Sequence, residues 1–589
     1  FWIKYVWTEF RFKYRRNNKG LGISNVLNTL LKNRGINNPD RFLNLSSNVV
    51  EDFNKFDNIM LAGYMLLEHI QKNSNIVILV DFDLDGYSSA SFLYNYLKMI
   101  NKNIKLNYII HRKKEHGLTK QVMEDLNTIE CDLLIIPDAG SNDYDAHKVL
   151  SDKGIDIIVL DHHYAKTYSK YACVVNNQMS KNINNKSLTG VGVVYKFCKW
   201  LDSELHINIA DRQLDLFALG MIGDSADLTN LESRYLVLEG LKKIEDGTGG
   251  NNFIAKIYKT KSYSMGNKCT ISGVAFYMCP TVNCIIRGGD FETKVNLFKA
   301  FIGSDETFVD KVRGKGEVEM SVEDYMLRIY TKLKKKQDKV ANDGVELISE
   351  QIEQYGLNKS EIIVANGTDI PDKTYNRLII NKLSSKYNKH ILLLNVSKDV
   401  ISGSGTGARN KEITDFRKWC ELTGLFNFCA GHAMAFGCEL PTYNIDKLYN
   451  LISTIPSSDI LVYDVDEIYN DKTLNKAIVQ LIGSYDYIWG NKLDEPLFAI
   501  EDIIIPSTDI ELKGKNKNTI MFEFNDITFI KFKTNEDEYN NIIKNNNNRF
   551  NIIGRFKINN YNNKTKPQII IEDYEYKSEK ADVVKKFVF

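Results

Sequence analysis

Short apolar runs alternate with helix-forming segments between residues 76 and about 240. The run from Val77 to Val80 is rich in β-branched residues, which favours a buried strand. The segment from Ser88 to Ile100 is predicted to be a helix that packs back on this strand. Similar apolar runs begin at Leu133 and Ile157. Strands that alternate with helices predict a parallel sheet with helices on both faces.

The first of these strands ends in three alternate carboxylates, Asp81, Asp83 and Asp85, and Gly86 follows them. Alternate side chains of an extended segment share one face, so three unpaired anions there would repel one another unless a cation neutralised them. Calcium-binding loops have the same D-x-D-x-D-G spacing, but they need a glutamate six residues after the glycine, where this chain has Phe92. The pattern therefore favours a strand-end metal site over a calcium loop or a solvated acidic turn.

Three further apolar segments also end in side chains that can ligate a metal. These ligand groups are Asp138 after Leu133 to Pro137, Asp161-His162-His163 after Ile157 to Leu160, and Asp224 after Leu219 to Gly223. A single aspartate after a strand is usually a helix cap, and adjacent histidines are usually surface residues. The carboxyl ends of neighbouring parallel strands converge on one crevice. Four ligand groups in succession, each after an apolar segment, therefore predict a shared metal pocket.

In this order and spacing, these motifs resemble motifs one to four of the DHH phosphoesterase superfamily. From about Leu30 to about Tyr574 the chain resembles the RecJ family of single-strand-specific exonucleases. The resemblance implies a site for two ions of Mn²⁺ or Mg²⁺, for which oxygen and imidazole donors without a thiolate are suitable. The implied ligands are Asp81, Asp83 and Asp138 for one ion, and Asp85, Asp138, His162 and Asp224 for the other, with Asp138 bridging.

The same resemblance implies the roles of the remaining residues in this pocket. It places Asp138, Asp161, His162 and His163 in the catalytic machinery, with Asp161 orienting a histidine and His163 facing the scissile phosphate. The two ions would hydrolyse a phosphodiester by activating a shared water. Asp227 is a rival to Asp224, but the similarity of Ala218-Leu219-Gly220 to the family's A-L-G-T motif favours Asp224.

Several other stretches resemble family motifs that bind nucleic-acid phosphates. The segment from Ile109 to Leu118 is similar to the family's P-x-R-x-x-E-G-Y-G-L, but it is one residue shorter and has His111 and His116 in place of the expected residues. Residues 280–287 resemble P-x-x-N-A-x-G-R with Ile286 in place of the glycine, and residues 402–410 and 430–437 resemble the GSxRS and GGHAMAAG motifs of the DHH-associated domain. The implied phosphate-binding residues are Arg112, Asn283, Arg287, Ser404, Arg409 and His432. Residues 188–193 resemble the family's L-x-G-V-G-V helix entry, in which the glycines are expected to serve close helix packing.

After Glu495-Pro496 the pattern becomes β-rich, with polar, Asn-rich turns. The predicted strands are Leu497 to Ile505, Thr519 to Phe524, Thr528 to Phe532, Phe550 to Ile558 and Pro567 to Glu572. Five such strands predict a barrel of the OB type, which commonly binds single strands. Phe529, Phe532 and Tyr561 could stack on bases, but aromatic residues on strands are more often core, and that interpretation is favoured.

The resulting fold class is α/β and multidomain: a parallel-sheet DHH catalytic domain, joined by a long helix to an α/β DHHA1 domain, and then a β-barrel domain of the OB type. The predicted boundaries are 1–75 for an amino-terminal helical segment, 76–316 for the catalytic domain, 317–358 for the connecting helix, 359–455 for the DHHA1 substrate-binding domain, 456–494 for a linker, 495–576 for the OB domain and 577–589 for a tail.

Composition limits the function classes. With 589 residues, 76 basic and 75 acidic, the net charge is +1, so binding to DNA would depend on a local basic channel rather than on a global field. The nine cysteines form no C-x-x-C pair, which favours reduced thiols in the cytoplasm and argues against a zinc ribbon. No apolar run approaches the roughly 20 residues of a membrane span, and the charged opening segment argues against a secretory signal.

The predicted function is therefore a metal-dependent exonuclease of single-stranded DNA that releases mononucleotides in DNA repair or recombination. The 5′-to-3′ direction is implied by resemblance alone. Two alternatives remain: a phosphoesterase of short oligonucleotides or cyclic dinucleotides, and a catalytically inactive replication scaffold. The expected partners are single-stranded DNA and a single-strand-binding protein or helicase, with the chain itself a monomer.

Overall fold

A computed structural model describes residues 4–5, 12–16, 26–409, 411–455, 461–561 and 564–578. The chain forms two compact units. The first unit comprises Arg34–Leu333 and Tyr485–Glu495, and the second comprises Phe1–Asn33, Lys334–Ser484 and Pro496–Phe589. Within the described ranges, no helix has the length and apolar character needed to cross a membrane. None of the nine cysteines, all of which are among the described residues, forms a disulfide.

The strands, in chain order, are β1 Lys4–Tyr5, β2 Phe12–Arg16, β3 Ile76–Val80, β4 Leu106–Ile110, β5 Leu133–Pro137, β6 Asp156–Asp161, β7 Cys173–Asn176, β8 Thr307–Val312, β9 Gly316–Ser321, β10 Ile362–Asn366, β11 His390–Val396, β12 Val400–Thr406, β13 Phe428–His432, β14 Ala435–Pro441, β15 Leu461–Val465, β16 Glu467–Asn470, β17 Phe498–Pro506, β18 Glu511–Lys513, β19 Thr519–Phe524, β20 Ile527–Phe532, β21 Asn547–Tyr561 and β22 Lys564–Ser578.

The α-helices are α1 Val26–Asn33, α2 Pro39–Leu43, α3 Ile59–Gln71, α4 Leu84–Ile100, α5 Lys120–Leu126, α6 Tyr144–Asp152, α7 Gly190–Glu204, α8 Leu214–Gly223, α9 Leu231–Asp246, α10 Asn252–Lys261, α11 Ile271–Gly273, α12 Cys279–Gly288, α13 Phe291–Phe301, α14 Val322–Gln354, α15 Asn376–Tyr387, α16 Phe416–Leu422, α17 Ile445–Ser453, α18 Lys476–Ser484 and α19 Glu536–Ile543. A π-helix, Val274–Met278, precedes α12.

The first unit is built on a five-stranded parallel sheet in the order β4-β3-β5-β6-β7. Successive side chains of β3 enter two different cores, as the two-residue period of a strand requires. Ile76 and Ile78 pack into the core that includes α4, α7 and α8, whereas Val77 and Leu79 pack into the core that includes α5 and α6. The predicted parallel sheet with helices on both faces is confirmed.

The sheet order places the carboxyl ends of β3, β5 and β6 side by side. Ile78 of β3 pairs with Ile135 of β5, and Pro137 of β5 pairs with Leu160 of β6. The residues that follow these three strands are therefore delivered to the same edge of the sheet.

The second unit contains a mixed five-stranded sheet in the order β10-β11-β12-β14-β13 and a seven-stranded sheet in the order β16-β17-β21-β22-β20-β19-β18. The second of these sheets contains all five strands that the sequence predicted after residue 495. Phe529 is buried in it, as the core interpretation expects, whereas Phe532 is half exposed. The side chain of Tyr561 and residues 579–589 lie outside the described residues.

Two of the predicted segments differ from the structure. Residues 1–75, predicted to be a helical segment, contain α1, α2 and α3 but also two strands: β1 pairs with β2, and β2 pairs with β15. Residues 456–494, predicted to be a linker, contain β15, β16 and α18, and β16 pairs with β17 in the seven-stranded sheet. These strands are short, and their pairing partners are distant in sequence, so local periodicity does not reveal them.

Candidate metal centre

The predicted metal ligands of the first unit gather at the carboxyl edge of its parallel sheet. The carboxylates come from the ends of β3, β5 and β6, from the first turn of α4 and from the residue after α8. Potential ligand atoms lie within 4.8 Å of one another in three clusters: Asp81, Asp83 and His116; Asp85, His162 and Asp224; and Asp138, Asp161, His162 and His163. Every metal ligand and catalytic residue predicted from the sequence belongs to one of these clusters.

The start of α4 holds two of the carboxylates in place. Asp83 is the N-cap, and its Oδ1 accepts a hydrogen bond from the N–H of Gly86 at 3.0 Å. Asp85 is buried in the first turn of α4. Its Oδ2 accepts from the N–H of Gly190 at 2.7 Å, at the amino terminus of α7, where the helix dipole favours an anion. The two side chains are therefore fixed by backbone donors before any ion binds.

Asp138 has a left-handed backbone, with φ of 64°. Aspartate tolerates this region better than most residues, and the backbone N–H of Asp138 donates to the carbonyl of Leu160 at 2.8 Å. Gly190 allows the close approach on the other side, since a Cβ at that position would lie 2.3 Å from Asp138 Oδ1. The side chain is 2% exposed, so its carboxylate is enclosed within the cluster.

Asp81 is surrounded by donors from the loop after β4. Its Oδ1 lies 3.3 Å from His111 Nε2 and accepts from the N–H of Gly117 at 3.2 Å. Its Oδ2 lies 2.5 Å from His116 Nδ1. Burial raises the pKa of Asp81, but the interactions with His111 and His116 outweigh burial and hold the pKa below its usual range. Asp81 is therefore an anion that anchors this loop.

The other carboxylates repel one another. Burial, followed by the charges of Asp85, Asp83 and Asp81, raises the pKa of Asp138 well above its ordinary value. Burial and the charges of Asp85 and Asp83 raise the pKa of Asp224 to about 7. A divalent cation between these groups would remove the repulsion and allow all of them to ionise.

The donor set fits such a cation. Asp138 Oδ1 is buried and has no hydrogen-bond partner among the described residues; His162 Nε2 lies 3.2 Å away without hydrogen-bond geometry. His162 is held as a neutral imidazole because burial lowers its pKa. Carboxylate oxygens with imidazole nitrogen and no thiolate suit Mn²⁺ or Mg²⁺.

Asp161 organises the histidine pair. Its Oδ1 accepts from the N–H groups of His162 and His163 at 2.7 and 3.1 Å and lies 2.8 Å from His163 Nδ1, while its Oδ2 accepts from the N–H of Ser141 at 3.0 Å. Burial raises the pKa of Asp161, but the hydrogen bond with His163 and the other donors bring it to about 2. The same hydrogen bond raises the pKa of His163 to about 9. The histidine whose ring Asp161 contacts is therefore His163, and its Nε2 remains available to a ligand.

The three candidate phosphate-binding residues of the first unit lie outside these clusters. Arg112 Nη2 is paired with Asp125 Oδ1 at 2.7 Å, and its guanidinium lies over the ring of Phe291. Asn283 and Arg287 are on α12, which packs against α4 and α8, the helices that carry Asp85 and precede Asp224. Arg287 is exposed and Asn283 is half-buried.

The remaining candidates lie on the mixed sheet of the second unit. Ser404 is on β12, Arg409 follows β12, and His432 ends the edge strand β13. Both β12 and β13 are antiparallel to β14, so their carboxyl ends lie at the same end of the sheet, where Arg409 and His432 are exposed. Ser404 lies further inside the sheet, opposite Gly437.

His116 and Asp143 are residues at this centre that the sequence motifs do not assign to it. Asp143 Oδ2 accepts from the N–H of Leu118 at 2.7 Å, and burial raises the pKa of Asp143. Only the departure from the family motif at residues 111–118 pointed to His116, and no sequence signal pointed to Asp143. The rival ligand Asp227 instead accepts hydrogen bonds from Thr229 in a local turn, so the geometry favours Asp224.

The chain is similar to known protein families and to individual proteins of known name. The DHH family N-terminal domain matches residues 75–221, and the RecJ OB domain matches residues 465–573. One relative is the SPbeta prophage-derived protein YorK of Bacillus subtilis (strain 168), which is named as a single-strand DNA-specific exonuclease. It is 38% identical to this chain over 561 residues, and the match covers 93% of this chain and 96% of YorK. The single-stranded-DNA-specific exonuclease RecJ of the same organism is 24% identical over 87% of this chain and 62% of its own length.

A solved structure shows the same fold over nearly the whole chain. RecJ from Thermus thermophilus, in complex with Mn²⁺, has a TM-score of 0.71 at 16% identity and covers 97% of this chain and 80% of its own. At that identity the likeness establishes the fold alone. On the similarity to YorK and the two domain matches, the chain belongs to the RecJ family of the DHH superfamily.

Proposed function

We propose that this protein is a metal-dependent exonuclease of single-stranded DNA that uses two divalent ions, Mn²⁺ or Mg²⁺, to hydrolyse phosphodiester bonds. It would release mononucleotides in the 5′-to-3′ direction, during DNA repair or recombination. The observation that carries the proposal is the buried, unpartnered Oδ1 of Asp138 between overlapping carboxylate and histidine clusters of the described residues.

The proposed ligands follow the clusters. Asp81, Asp83 and Asp138 would hold one ion, and Asp85, Asp138, His162 and Asp224 would hold the other. When bound, the two ions supply a water of lowered pKa and neutralise charge that develops on the phosphate. The raised pKa of Asp138, which burial and the neighbouring carboxylates cause, supports a bridging role, since positive charge from both ions would stabilise its anion.

His163 would bind the scissile phosphate. Its Nδ1 is held by Asp161, so Nε2 is the nitrogen that can donate to a phosphate oxygen. Because the hydrogen bond to Asp161 raises its pKa to about 9, His163 is a cation at neutral pH. A charged donor is stabilising where negative charge increases in the transition state.

The substrate assignment is supported by the relatives and by the second unit. YorK and RecJ carry names that specify single-stranded DNA. Arg112, Asn283 and Arg287 of the first unit would bind phosphates of the DNA. In the second unit, Ser404, Arg409 and His432 would do the same, and the OB domain would bind single-stranded DNA. A single-strand-binding protein or a helicase is the proposed partner of a monomeric enzyme.

The test uses long single-stranded oligonucleotides labelled at either end, incubated with Mn²⁺ or Mg²⁺. We expect mononucleotide release from the 5′ end, and loss of turnover by at least about 100-fold in Asp138→Ala with an unchanged circular dichroism spectrum. Asp227→Ala is the matched control, because Asp227 is three residues after Asp224 and its Oδ1 accepts hydrogen bonds from Thr229 in a local turn. Release from the 3′ end would contradict the proposed direction.

Two other functions predict different outcomes. Cleavage confined to dinucleotides or cyclic dinucleotides would identify a short-oligonucleotide phosphoesterase. No turnover with any divalent metal would identify a scaffold; the complete set of ligands, from Asp81 to Asp224, argues against that function.

A further inference from the structure

His116 lies beside the metal centre on a loop that departs from the family motif. The loop connects β4 to α5 and is one residue shorter than the family pattern. It brings His116 Nδ1 to 2.5 Å from Asp81 Oδ2, and it groups His116 with Asp81 and Asp83 as potential ligands within 4.8 Å. The side chain of His116 is 53% exposed, so the ring also faces solvent.

We propose that His116 is a ligand of the ion held by Asp81 and Asp83, and that this nitrogen ligand makes the site select Mn²⁺ over Mg²⁺. The inference rests on the proposed function, since it takes the pair of ions as given. It adds a ligand that the family motifs in the sequence do not assign to the centre.

The existing hydrogen bonds use one oxygen of each of the two aspartates. Asp83 Oδ1 accepts from the N–H of Gly86, and Asp81 Oδ1 accepts from the N–H of Gly117 and lies near His111 Nε2. Each carboxylate therefore has one oxygen, Oδ2, that is not used by these backbone donors. The imidazole of His116, beside Asp81 Oδ2, would add a nitrogen donor to these oxygens.

The chemistry of the added donor determines which metal is favoured. Mg²⁺ prefers an octahedral set of oxygen ligands and loses its waters reluctantly, whereas Mn²⁺ accepts imidazole nitrogen more readily. Replacing one oxygen or water ligand by imidazole therefore increases the affinity for Mn²⁺ more than the affinity for Mg²⁺.

The loop position also connects this ligand to a candidate phosphate-binding residue. Arg112 is four residues before His116, and its backbone carbonyl accepts from Lys294 Nζ at 2.8 Å. An ion bound by His116 would fix the carboxyl end of the loop, while Lys294 fixes the amino end. Arg112 would then lie at the anchored amino end of a loop whose other end is also fixed.

The alternative is that His116 only ties the loop to Asp81 through a hydrogen bond. In either role, His116→Ala would lower the stability of the protein, so a stability measurement does not distinguish the two roles. The affinity for each metal, and the nuclei whose spins couple to bound Mn²⁺, do distinguish them.

The experiment measures Mn²⁺ and Mg²⁺ binding to the full chain by calorimetry without DNA, in the wild type, His116→Ala and His116→Asn. We expect His116→Ala to weaken Mn²⁺ binding at one of two sites by at least about tenfold. His116→Asn, which supplies an amide oxygen, should lower the ratio of Mn²⁺ to Mg²⁺ affinity at that site by a similar factor. His206→Asn, at an exposed histidine of the same unit, should bind both metals as the wild type does.

Pulsed electron paramagnetic resonance of the Mn²⁺-loaded protein with ¹⁵N-labelled histidine provides the direct readout. The wild type should show coupling to imidazole nitrogen at both ions, and His116→Ala should lose one coupling and keep that of His162. Unchanged couplings with an unchanged affinity ratio would overturn the inference and leave the proposed function standing. Failure of the wild type to bind Mn²⁺ at all would overturn both.

Discussion

Gly190 is the residue at which the first turn of α7 meets the Asp138 carboxylate. A Cβ at this position would lie 2.3 Å from Asp138 Oδ1 and 2.4 Å from Asp138 Cβ. Because Asp138 Cβ is attached directly to the backbone, a rotation of the Asp138 side chain would not relieve this clash. The N–H of Gly190 also donates to Asp85 Oδ2. The glycine is thus needed for the approach of a helix terminus to two carboxylates at once.

We predict that Gly190→Ala lowers the free energy of unfolding by about 1–3 kcal/mol and reduces the rise in melting temperature that Mn²⁺ produces. Thermal unfolding with and without Mn²⁺ measures both effects. Gly437→Ala is the control, because a Cβ there meets nothing closer than 3.9 Å. A wild-type metal response in Gly190→Ala would show that Asp138 tolerates displacement.

His147 is a buried histidine that the proposed chemistry does not use. It is on α6, and its Nδ1 lies 3.1 Å from Ser169 Oγ. Burial lowers its pKa from 6.5 to about 4. Between these values the unfolded chain binds a proton that the folded chain does not, so the stability contributed by neutral His147 is full above pH 6.5 and is lost as the pH falls through 4.

We predict that His147→Gln reduces the pH dependence of unfolding in this window. The slope of the free energy of unfolding against pH, measured in urea between pH 4 and 6.5, should decrease by up to about 1.4 kcal/mol per pH unit. His206→Asn should keep the wild-type slope. A slope in His147→Gln equal to that of the wild type would contradict the assignment. His390 of the second unit, whose pKa burial also lowers to about 4, contributes in the same direction in all of these proteins.

At the scale of elements, the amino terminus of α4 combines a helix cap with a metal ligand. Asp83 uses Oδ1 to cap the helix through Gly86, which leaves Oδ2 for an ion. The two functions can be separated because asparagine caps a helix almost as well as aspartate but is a poor ligand for a divalent cation.

We predict that Asp83→Asn and Asp83→Ala both lose nuclease activity, but that Asp83→Ala is less stable than Asp83→Asn by about 1 kcal/mol. Both variants remove the same charge from the acidic cluster, so the difference between them isolates the cap. Chemical denaturation without metal gives the comparison. Equal stability of the two variants would mean that the cap does not contribute.

At the scale of the whole molecule, a short segment of the chain belongs to a different unit from the residues on either side of it. Tyr485–Glu495 is part of the first unit, whereas α18 before it and β17 after it are part of the second. Trp489 in this segment is buried, with the guanidinium of Arg34 over its ring at 5.3 Å, and Ser272 Oγ donates to its carbonyl. The first unit is therefore completed by residues far along the chain.

The proposed DNA contacts predict how binding depends on salt. The net charge is only +1, so the dependence should come from individual phosphate contacts rather than from the global field. Each lost contact with a single strand should reduce the slope of log K against log salt by about 0.7. We predict this reduction for Arg287→Ala, measured by fluorescence anisotropy with Ca²⁺ in place of the catalytic metal.

Arg212→Ala is the control for that measurement, because Arg212 is an exposed arginine of the same unit that is not among the proposed contacts. A salt slope that falls equally in both variants would indicate a diffuse electrostatic effect and would contradict a specific role for Arg287.

The sequence determined the parallel sheet and most of its metal centre. A run of β-branched residues is a local signal that predicts a buried strand. Because parallel strands have their carboxyl ends at one edge of the sheet, Asp81, Asp138 and Asp161 are then predicted to be neighbours. The strands after residue 495 were predicted for the same reason, because alternation and turn residues are local signals. The assignment of ligands to each ion came from family resemblance and stays a proposal.

The tertiary structure decided what depends on contacts between distant residues. The pairing of β16 with β17 and the burial of Trp489 have no local signal, because their partners are set by packing elsewhere in the fold. The same holds for His116: its position beside Asp81 depends on the shape of a shortened loop, which the motif could mark as unusual but could not place. The periodicity of apolar residues can be read from one segment of the sequence. The distance between residues of different segments depends on the whole fold, and it is the fold that places His116 and Gly190 beside the carboxylates.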